Sequence, residues 1–249
     1  QRQMCIRDSK NTDLIATIGN FDGLHLGHQH IIDKMKKDAV ENKWKTLVIF
    51  TEPHAKEFFA QALGTEEEKP PRLFPWSEKV RRLEELEVDF SFFLNFNNQL
   101  RNMTPENFIN TVLSRLSIKK MIIGDDFRFG ANREGDFKFL KNWGQENEIL
   151  IENTETFSFN GNRVSSTRIR DALISDDFDE AKELLGRPYT FSGKVVYGQQ
   201  LGTQLGVPTA NLWLPKNKLP FAGVYVVKVC LLYTSDAADE GLGVDLGGR

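Results

Sequence analysis

The sequence predicts an α/β fold, a parallel sheet with helices on both faces, followed by the opening of an all-β unit. Short apolar runs alternate with segments of helical periodicity up to about residue 185, as in parallel sheets with right-handed crossovers. Two of the runs stop at a glycine, Gly19 or Gly124, as expected for buried strands that enter a tight turn. Beyond Gly186, strand-like alternation and glycine-rich turns replace the helical pattern.

The elements can be placed in order from these patterns. We predict strands at 14–18, 46–50, 90–96, 121–123 and 148–151, and in the all-β unit at 189–197 and 223–229. Ser77 is a suitable helix cap, and Thr104 followed by proline is a good helix start. The predicted helices cover 28–39, 77–86, 104–116, 137–143, 167–174 and 178–185.

Composition narrows the class of protein. The 249 residues are 40% hydrophobic and 27% charged, which is enough apolar material for a packed core. The net charge of -3 disfavours general nucleic-acid binding, which requires a basic face. No apolar run approaches the roughly 18 residues that span a membrane, so we expect no membrane partner. The two cysteines, Cys5 and Cys230, lie far apart, and a reducing cytoplasm is the simplest location.

The two ends differ in texture from the rest of the chain. Strings such as MCIRDS and LLYTSDAADE resemble translated sequencing-adapter readthrough. We therefore expect residues 1–9 to be a non-native leader and residues 230–249 a non-native tail, with ordinary disordered tails as the alternative. Between them we predict one domain at 10–185 and a fragment of a second at 186–229, on which the first domain should not depend.

The strongest motif lies between the first strand and its helix, and reads GNFDGLHLGH over residues 19–28. Its glycines permit a tight turn and close approach to the backbone. His25 and His28 are three residues apart and would share one face of a first helical turn. Amides at a helix N-terminus favour anions, so the segment predicts a phosphate site in which Gly27 leaves room for a nucleotide. The alternative is two histidines on a polar helix end.

A second motif, RVSSTRIR, opens a helix at residues 163–170. Ser166 and Thr167 can cap the helix and offer hydroxyl groups to phosphate. Arg168 and Arg170 are good anion ligands, and the motif suggests a polyphosphate clamp. An ordinary capped helix start is the alternative.

A third motif follows the fourth strand, where Asp126, Phe127, Arg128 and Phe129 lie within the segment 124–136. Two aromatic residues flanking an arginine are suited to a planar ring, and the carboxylates to sugar hydroxyls or indirectly to a metal. A structured loop with buried phenylalanines is equally compatible. Pro53 and His54 follow the second strand and are placed at the same sheet edge.

At this point the chain resembles the bacterial bifunctional riboflavin kinase/FAD synthetase family, from about Leu14 to Val229. Four segments match that family in order: GNFDGLHLGH, the Arg72-Leu73 and Glu78-Lys79 pairs, the DFRFG loop with its Gly135-Asp136 end, and SSTRIR. The resemblance implies a Rossmann-like nucleotidyltransferase sheet. The family's Pro-His-Pro motif departs here, because Ala55 follows His54.

The resemblance implies transfer of AMP from ATP to FMN, with Mg²⁺ bridging phosphates through protein ligands that cannot be read from the sequence. It assigns three groups of residues. The catalytic group is His25, His28, Ser166, Thr167 and Arg170. The ATP-binding group is Gly19, Asn20, Phe21, Asp22, Gly27 and Arg168. The flavin-binding group is Pro53, His54, Asp126, Phe127, Arg128 and Phe129.

The part after residue 186 resembles the start of the family's riboflavin kinase barrel. In the family, residues matching Thr209 and Asn211 bind the magnesium and phosphates of ATP, and Gly198 opens the same stretch. The family's catalytic carboxylate lies further along the barrel, and no matching segment is found, so we expect kinase activity to be lost.

Two alternatives stay open. One is another nucleotidyltransferase with a His-x-Gly-His motif, acting on pantetheine phosphate or nicotinate mononucleotide. The other is a nucleotide- or flavin-binding module without turnover. A class I aminoacyl-tRNA synthetase is disfavoured by size and by the lack of a KMSKS-like loop. The oligomeric state cannot be read from the sequence.

Overall fold

The computed structural model describes residues 12–65, 69–124, 126–199, 206–207, 209–213, 219–232 and 241–246. Contacts divide the chain into two units. Unit 1 comprises Gln1–Pro70 and Lys79–Val164, and unit 2 comprises Pro71–Glu78 and Ser165–Arg249. The predicted leader and Cys5 lie outside the described residues. The boundary near residue 186 stays a prediction, although the contacts of unit 2 run across it.

Unit 1 is built on a five-stranded parallel sheet in the order β3-β2-β1-β4-β5. Its strands are β1 (Leu14–Ile18), β2 (Lys45–Glu52), β3 (Phe90–Asn95), β4 (Ile118–Gly124) and β5 (Leu150–Thr154). The chain winds outward from β1 to β3 and then crosses to β4 on the other side. Ligands of such sheets bind beyond the carboxyl ends of the strands where the direction reverses, here between β1 and β4.

Helices cover both faces of this sheet. They are α1 (Leu26–Asn42), α2 (Ala55–Leu63), α3 (Trp76–Glu85), α4 (Asn98–Arg101), α5 (Pro105–Thr111) and α6 (Phe137–Glu146). Alternate residues of β1 point to opposite faces, so Leu14, Ala16 and Ile18 join the α5–α6 core while Ile15 packs with α1. All five residues of β1 are buried, as expected for a central parallel strand.

A third core group lies at the carboxyl end of β2. Phe21 and Leu24, from the loop after β1, pack there with Ile32 of α1, Phe50 of β2 and Leu83 of α3. The loop that connects β1 to α1 is therefore fixed by burial of its own apolar side chains.

Unit 2 contains α7 (Ser166–Ile174) and α8 (Phe178–Leu185), which pack on each other. A four-stranded antiparallel sheet follows in the order β10-β11-β8-β9. Its strands are β8 (Tyr189–Val196), β9 (Asn211–Trp213), β10 (Lys228–Leu232) and β11 (Gly241–Leu246). These strands agree with a partial barrel, and β11 places part of the predicted non-native tail in the sheet. No helix within the described ranges has the length and apolarity needed to cross a membrane.

The structure corrects several predicted boundaries. Helix α3 begins at Trp76, so Ser77 lies in its first turn and is not its cap. Strand β5 runs two to three residues later than predicted, since residues up to Glu148 complete the end of α6, where Glu148 has a left-handed φ of 57°. Helices α2 and α4, and a short hairpin of β6 (Ser158–Phe159) and β7 (Asn162–Arg163), were not predicted.

Candidate functional site

The loop between β1 and α1 has a strained backbone. Phe21, Gly23 and Leu24 adopt left-handed φ angles of 49°, 82° and 42°. A left-handed residue other than glycine costs roughly 1 kcal/mol or more. Phe21 and Leu24 are 2% and 1% exposed, so burial of their side chains offsets that cost. The result is a rigid turn beyond the carboxyl end of a central strand.

His25 ends this loop and caps helix α1. Its backbone is extended, and its Nδ1 accepts a hydrogen bond of 3.4 Å from the backbone N–H of His28. An imidazole that accepts at Nδ1 carries its proton on Nε2 when neutral. His25 is therefore positioned as a donor through Nε2, and it is only 6% exposed.

His28 stacks on His25, with ring centroids 3.7 Å apart and an interplanar angle of 16°. The ring of Phe21 lies against it at 4.9 Å. The Nδ1 atom of His28 is buried and has no hydrogen-bond partner. Burial, the main cause, together with the positive charge of nearby Lys79, holds the pKa of His28 well below its usual value of 6.5. Without a ligand, His28 is therefore neutral at pH 7 and has an unsatisfied polar atom.

Lys79 is a site residue to which the sequence analysis gave no role. Its ammonium group donates to the backbone carbonyl of Asn20 at 2.8 Å and lies 4.6 Å from the centre of the Phe50 ring. The residue is 6% exposed. Only the fold brings Lys79 and Asn20 together, since 59 residues separate them. A cation thus supports the loop that carries the two histidines.

The remaining predicted ATP-binding residues of this loop have distinct environments. Asn20 is exposed and Asp22 is 7% exposed. A Cβ on Gly27 would lie 3.2 Å from the His25 ring and 3.5 Å from the Cβ of Phe157. Gly27 therefore gives room to the capping imidazole, and its predicted contact with nucleotide stays a prediction. Gly19 closes β1 by donating to Ile49 at 3.0 Å.

The loop after β4 is held by a two-residue bridge. The backbones of Phe129 and Gly135 exchange hydrogen bonds of 3.0 Å and 2.9 Å. A Cβ on Gly135 would lie 2.6 Å from the Phe129 ring, so that close approach requires glycine. Asp126 is exposed and forms an ion pair of 2.7 Å with Arg163, while Asp125 lies outside the described residues.

The aromatic residues of this loop face its interior. Phe127 and Phe129 stack on each other with centroids 5.7 Å apart and an angle of 13°. A flat ring inserted between them would need about 7 Å, twice the ~3.5 Å contact distance, so a flavin fits only outside the pair. Phe129 is 7% exposed and also contacts the hydrophobic core. Arg128 is exposed and donates to the carbonyl of Phe127.

Pro53 and His54 lie at the carboxyl end of β2, after a cis Glu52–Pro53 bond. His54 caps α2, with its Nδ1 accepting from the N–H of Lys56 at 3.1 Å, and Glu57 completes a capping box. Beside this turn Phe58 meets Phe96 edge to face at 5.4 Å, a contact not predicted from sequence. The predicted flavin residues thus lie at two strand ends of the same sheet.

The serine-rich motif forms the start of α7 in unit 2. Ser165 is the cap, because its Oγ accepts from the N–H of Arg168 at 3.2 Å. Ser166 and Thr167 are therefore first-turn residues and not the cap that the sequence suggested. Their hydroxyl groups and the amides of this turn sit at the positive end of a nine-residue helix.

The two arginines of the motif have protein partners. Both Nε and Nη2 of Arg168 contact Glu180 Oε1, at 2.8 Å and 2.7 Å. Arg170 donates from Nε to the carbonyl of Pro71 at 2.7 Å. These contacts orient both guanidinium groups before any ligand arrives.

The predicted kinase residues lie in the sheet of unit 2. A Cβ on Gly198 would come within 2.2 Å of the Asn211 side chain, so these two residues are adjacent. Thr209 is exposed, and Pro208 and residues 200–205 lie outside the described part. Among the described residues, no group of three or more His, Cys, Asp or Glu could hold a metal ion.

Comparison with known proteins identifies the same two families that the sequence motifs resemble. The FAD synthetase family matches residues 7–168, and the riboflavin kinase family matches residues 185–238. A bifunctional riboflavin kinase/FMN adenylyltransferase of Pseudomonas fluorescens is 42% identical over 86% of this chain and 68% of its own length. The Escherichia coli K12 protein of the same name is 40% identical over 86% of this chain and 67% of its own.

The fold also has a counterpart among solved structures. One described as a macrolide-efflux protein from Streptococcus pneumoniae superposes with a TM-score of 0.72 at 26% identity. The match covers 97% of this chain and 82% of that one.

Proposed function

This chain belongs to the FAD synthetase family of bifunctional riboflavin kinase/FMN adenylyltransferases, and we propose that it transfers AMP from ATP to FMN, giving FAD and pyrophosphate. The observation that carries the proposal is the stacked pair of His25 and His28 in the rigid loop after β1, with a buried and unsatisfied nitrogen. A family relationship alone gives the reaction class, whereas this arrangement gives residues suited to it.

The reaction needs no protein nucleophile. A phosphate oxygen of FMN attacks the α-phosphorus of ATP, a new P–O bond forms, and the bond from the α-phosphorus to the bridging oxygen breaks. The electron pair leaves with pyrophosphate. Because the attacking oxygen is already anionic, no general base is required, and the protein supplies positioning and charge stabilisation.

We assign the leaving pyrophosphate to the two histidines. His25 is held as a donor by its capping bond, and His28 offers a desolvated ring whose charge depends on its surroundings. The negative charge of an arriving triphosphate offsets the repulsion from Lys79, and so favours the protonated form of His28. Binding of ATP would then include uptake of a proton by His28.

We assign the outer phosphates to the start of α7. Ser166 and Thr167 offer hydroxyl groups and amides, and Arg170 offers a cation oriented by Pro71. Arg168 would reach ATP from its ion pair with Glu180. Asn20, Phe21 and Asp22 would shape the nucleotide pocket.

We assign the flavin to the carboxyl ends of β2 and β4. Phe127 is half-buried and offers an aromatic face, with the buried Phe129 packed behind it; Asp126 and Arg128 are exposed polar groups beside it, and Pro53 with His54 lies at the end of the other strand. Their contacts with flavin stay predictions.

A bound Mg²⁺ ion would supply charge neutralisation for the phosphates of ATP. Since the described residues form no cluster of acidic or imidazole ligands, the ion would take most of its ligands from ATP and water, as Mg²⁺ commonly does. In the riboflavin kinase part, the oxygen atoms of Thr209 and Asn211 are ligands of the hard type that Mg²⁺ accepts.

The test is to incubate the purified protein with MgATP and FMN and to separate the flavins chromatographically. The proposal requires FAD, with equimolar pyrophosphate. Pantetheine phosphate and nicotinate mononucleotide should give no adenylylated product, because the DFRFG loop belongs to the flavin enzyme. Binding of FMN and ATP without turnover would instead support a carrier module.

A further inference from the structure

Within unit 2, the start of strand β8 contacts the segment Pro71–Phe74, which in turn contacts Arg170, a residue predicted to act on ATP. We propose that Tyr189, the first residue of β8, is a positioning residue that holds the segment Pro71–Phe74 and through it the guanidinium of Arg170. The functional part of this inference rests on the proposed function, whereas the structural part can be tested independently.

Tyr189 is the largest fully buried side chain described, with 0% exposure. Its hydroxyl donates to the carbonyl of Leu73 at 2.9 Å. Its ring stacks on Phe74 with centroids 5.9 Å apart and an angle of 18°. A buried tyrosine hydroxyl needs a partner, and this one uses a backbone carbonyl of an irregular segment.

The same segment carries the carbonyl that orients Arg170. Pro71, two residues before Leu73, accepts from Arg170 Nε at 2.7 Å. Further along, Ser192 of β8 donates to Glu78 at 3.1 Å, and the Arg187 guanidinium lies 5.3 Å from the Phe74 ring centre. Residues 187–192 therefore contact Leu73, Phe74 and Glu78, while Arg170 of α7 contacts Pro71 at the start of the same stretch.

Through this arrangement Tyr189 of β8 would help to position Arg170 for adenylyl transfer, whether or not the riboflavin kinase part is active. Without the Tyr189 hydroxyl, one buried hydrogen bond to the carbonyl of Leu73 is lost, and Pro71–Phe74 is held less firmly. The carbonyl of Pro71, which accepts from Arg170 Nε, is then less fixed, and the Arg170 guanidinium is less precisely oriented for phosphate.

The first experiment is hydrogen exchange by mass spectrometry on the full chain, comparing the unmodified protein with Tyr189→Phe. The substitution removes one hydrogen bond and keeps the ring. Exchange of the amides at residues 72–78 should become about five- to tenfold faster. Tyr225→Phe is the matched control, because its hydroxyl donates to Asp176 at 2.6 Å and not to the segment. Unchanged exchange in Tyr189→Phe, or equal acceleration in the control, would overturn the inference.

The second experiment is steady-state FAD synthesis. Tyr189→Phe should raise KM for ATP about fivefold and leave KM for FMN unchanged. Combined with Arg170→Lys, it should add little further loss, because both changes act on one group. Fully additive losses would contradict positioning through Arg170. If the unmodified protein makes no FAD, the proposed function fails, and the exchange experiment still decides whether Tyr189 holds the segment.

Discussion

Replacement of His28 should separate stability from activity. The substitution His28→Phe keeps a ring against His25 and Phe21 but removes the buried Nδ1 that has no partner. An unsatisfied buried polar atom costs about 1–3 kcal/mol. Phenylalanine is slightly larger than histidine, and local crowding reduces the gain. We expect the variant to be about 1 kcal/mol more stable, which raises Tm by about 2–4 °C for a protein of this size.

His28→Ala provides the comparison. It also removes the unsatisfied nitrogen, but it loses two aromatic contacts worth about 0.5–1.5 kcal/mol each, as well as buried area. We therefore expect alanine to be less stable than phenylalanine, and both variants to form FAD about 100-fold more slowly, as when one charge-stabilising donor is lost.

Thermal unfolding and initial rates of FAD formation measure both effects. His30→Phe is a matched control, since His30 is an exposed residue of the same helix. The rate of FAD formation by that variant should equal the rate of the unmodified protein. If His28→Phe proved clearly less stable than the unmodified protein, the unsatisfied nitrogen would not be a cost. Near-normal turnover in that variant would remove His28 from the mechanism.

Four further outcomes can be measured. Because the pKa of His28 is lowered in the folded state, the folded protein loses stability as the pH falls below the unfolded-state pKa of about 6.5, where the unfolded chain takes up a proton at His28 more readily. The fall in Tm between pH 7.5 and 5.5 should therefore be smaller in His28→Phe than in the unmodified protein, and an equal fall would contradict this. Gly135→Ala should lower Tm by several degrees, because its Cβ would lie 2.6 Å from the Phe129 ring; an unchanged Tm would show that the ring can move. Incubation with riboflavin and MgATP tests the sequence-based expectation that kinase activity is lost; residues 186–229 contain no Asp or Glu, so formation of FMN would contradict that expectation and would point to a carboxylate among residues 230–249 as the general base. Ending the chain at Leu185 should reduce FAD synthesis, because Tyr189 is removed; full activity would favour the sequence-based expectation that the first domain is independent.

The central strands and the phosphate-binding loop could be predicted because their signals are local. An apolar run ending at Gly19 or Gly124 identifies a buried strand by itself, and Thr104 caps α5 as its sequence context indicates. Boundaries were less accurate where two elements share a turn. Ser77 has the chemistry of a cap, yet the helix starts at Trp76.

The roles of Lys79 and Tyr189 could not be predicted, since they depend on distant backbone carbonyls. Lys79 donates to Asn20, 59 positions earlier, and Tyr189 donates to Leu73, 116 positions earlier. No periodicity reports such pairings. The sequence offers three adjacent cap candidates of suitable type, Ser165, Ser166 and Thr167, and only the fold shows that Ser165 is the cap.

The left-handed residues Phe21 and Leu24 limit how this loop can change in evolution. A glycine at either position would relax the backbone but would empty part of the core, whereas any large apolar residue would fill the core and keep the unfavourable φ. Neither single step offers a clear gain. A change in the loop would require compensating changes in the residues of α1 and β2 that pack on Phe21 and Leu24. The loop that positions His25 and His28 is therefore maintained by two residues whose own backbone conformation is unfavourable.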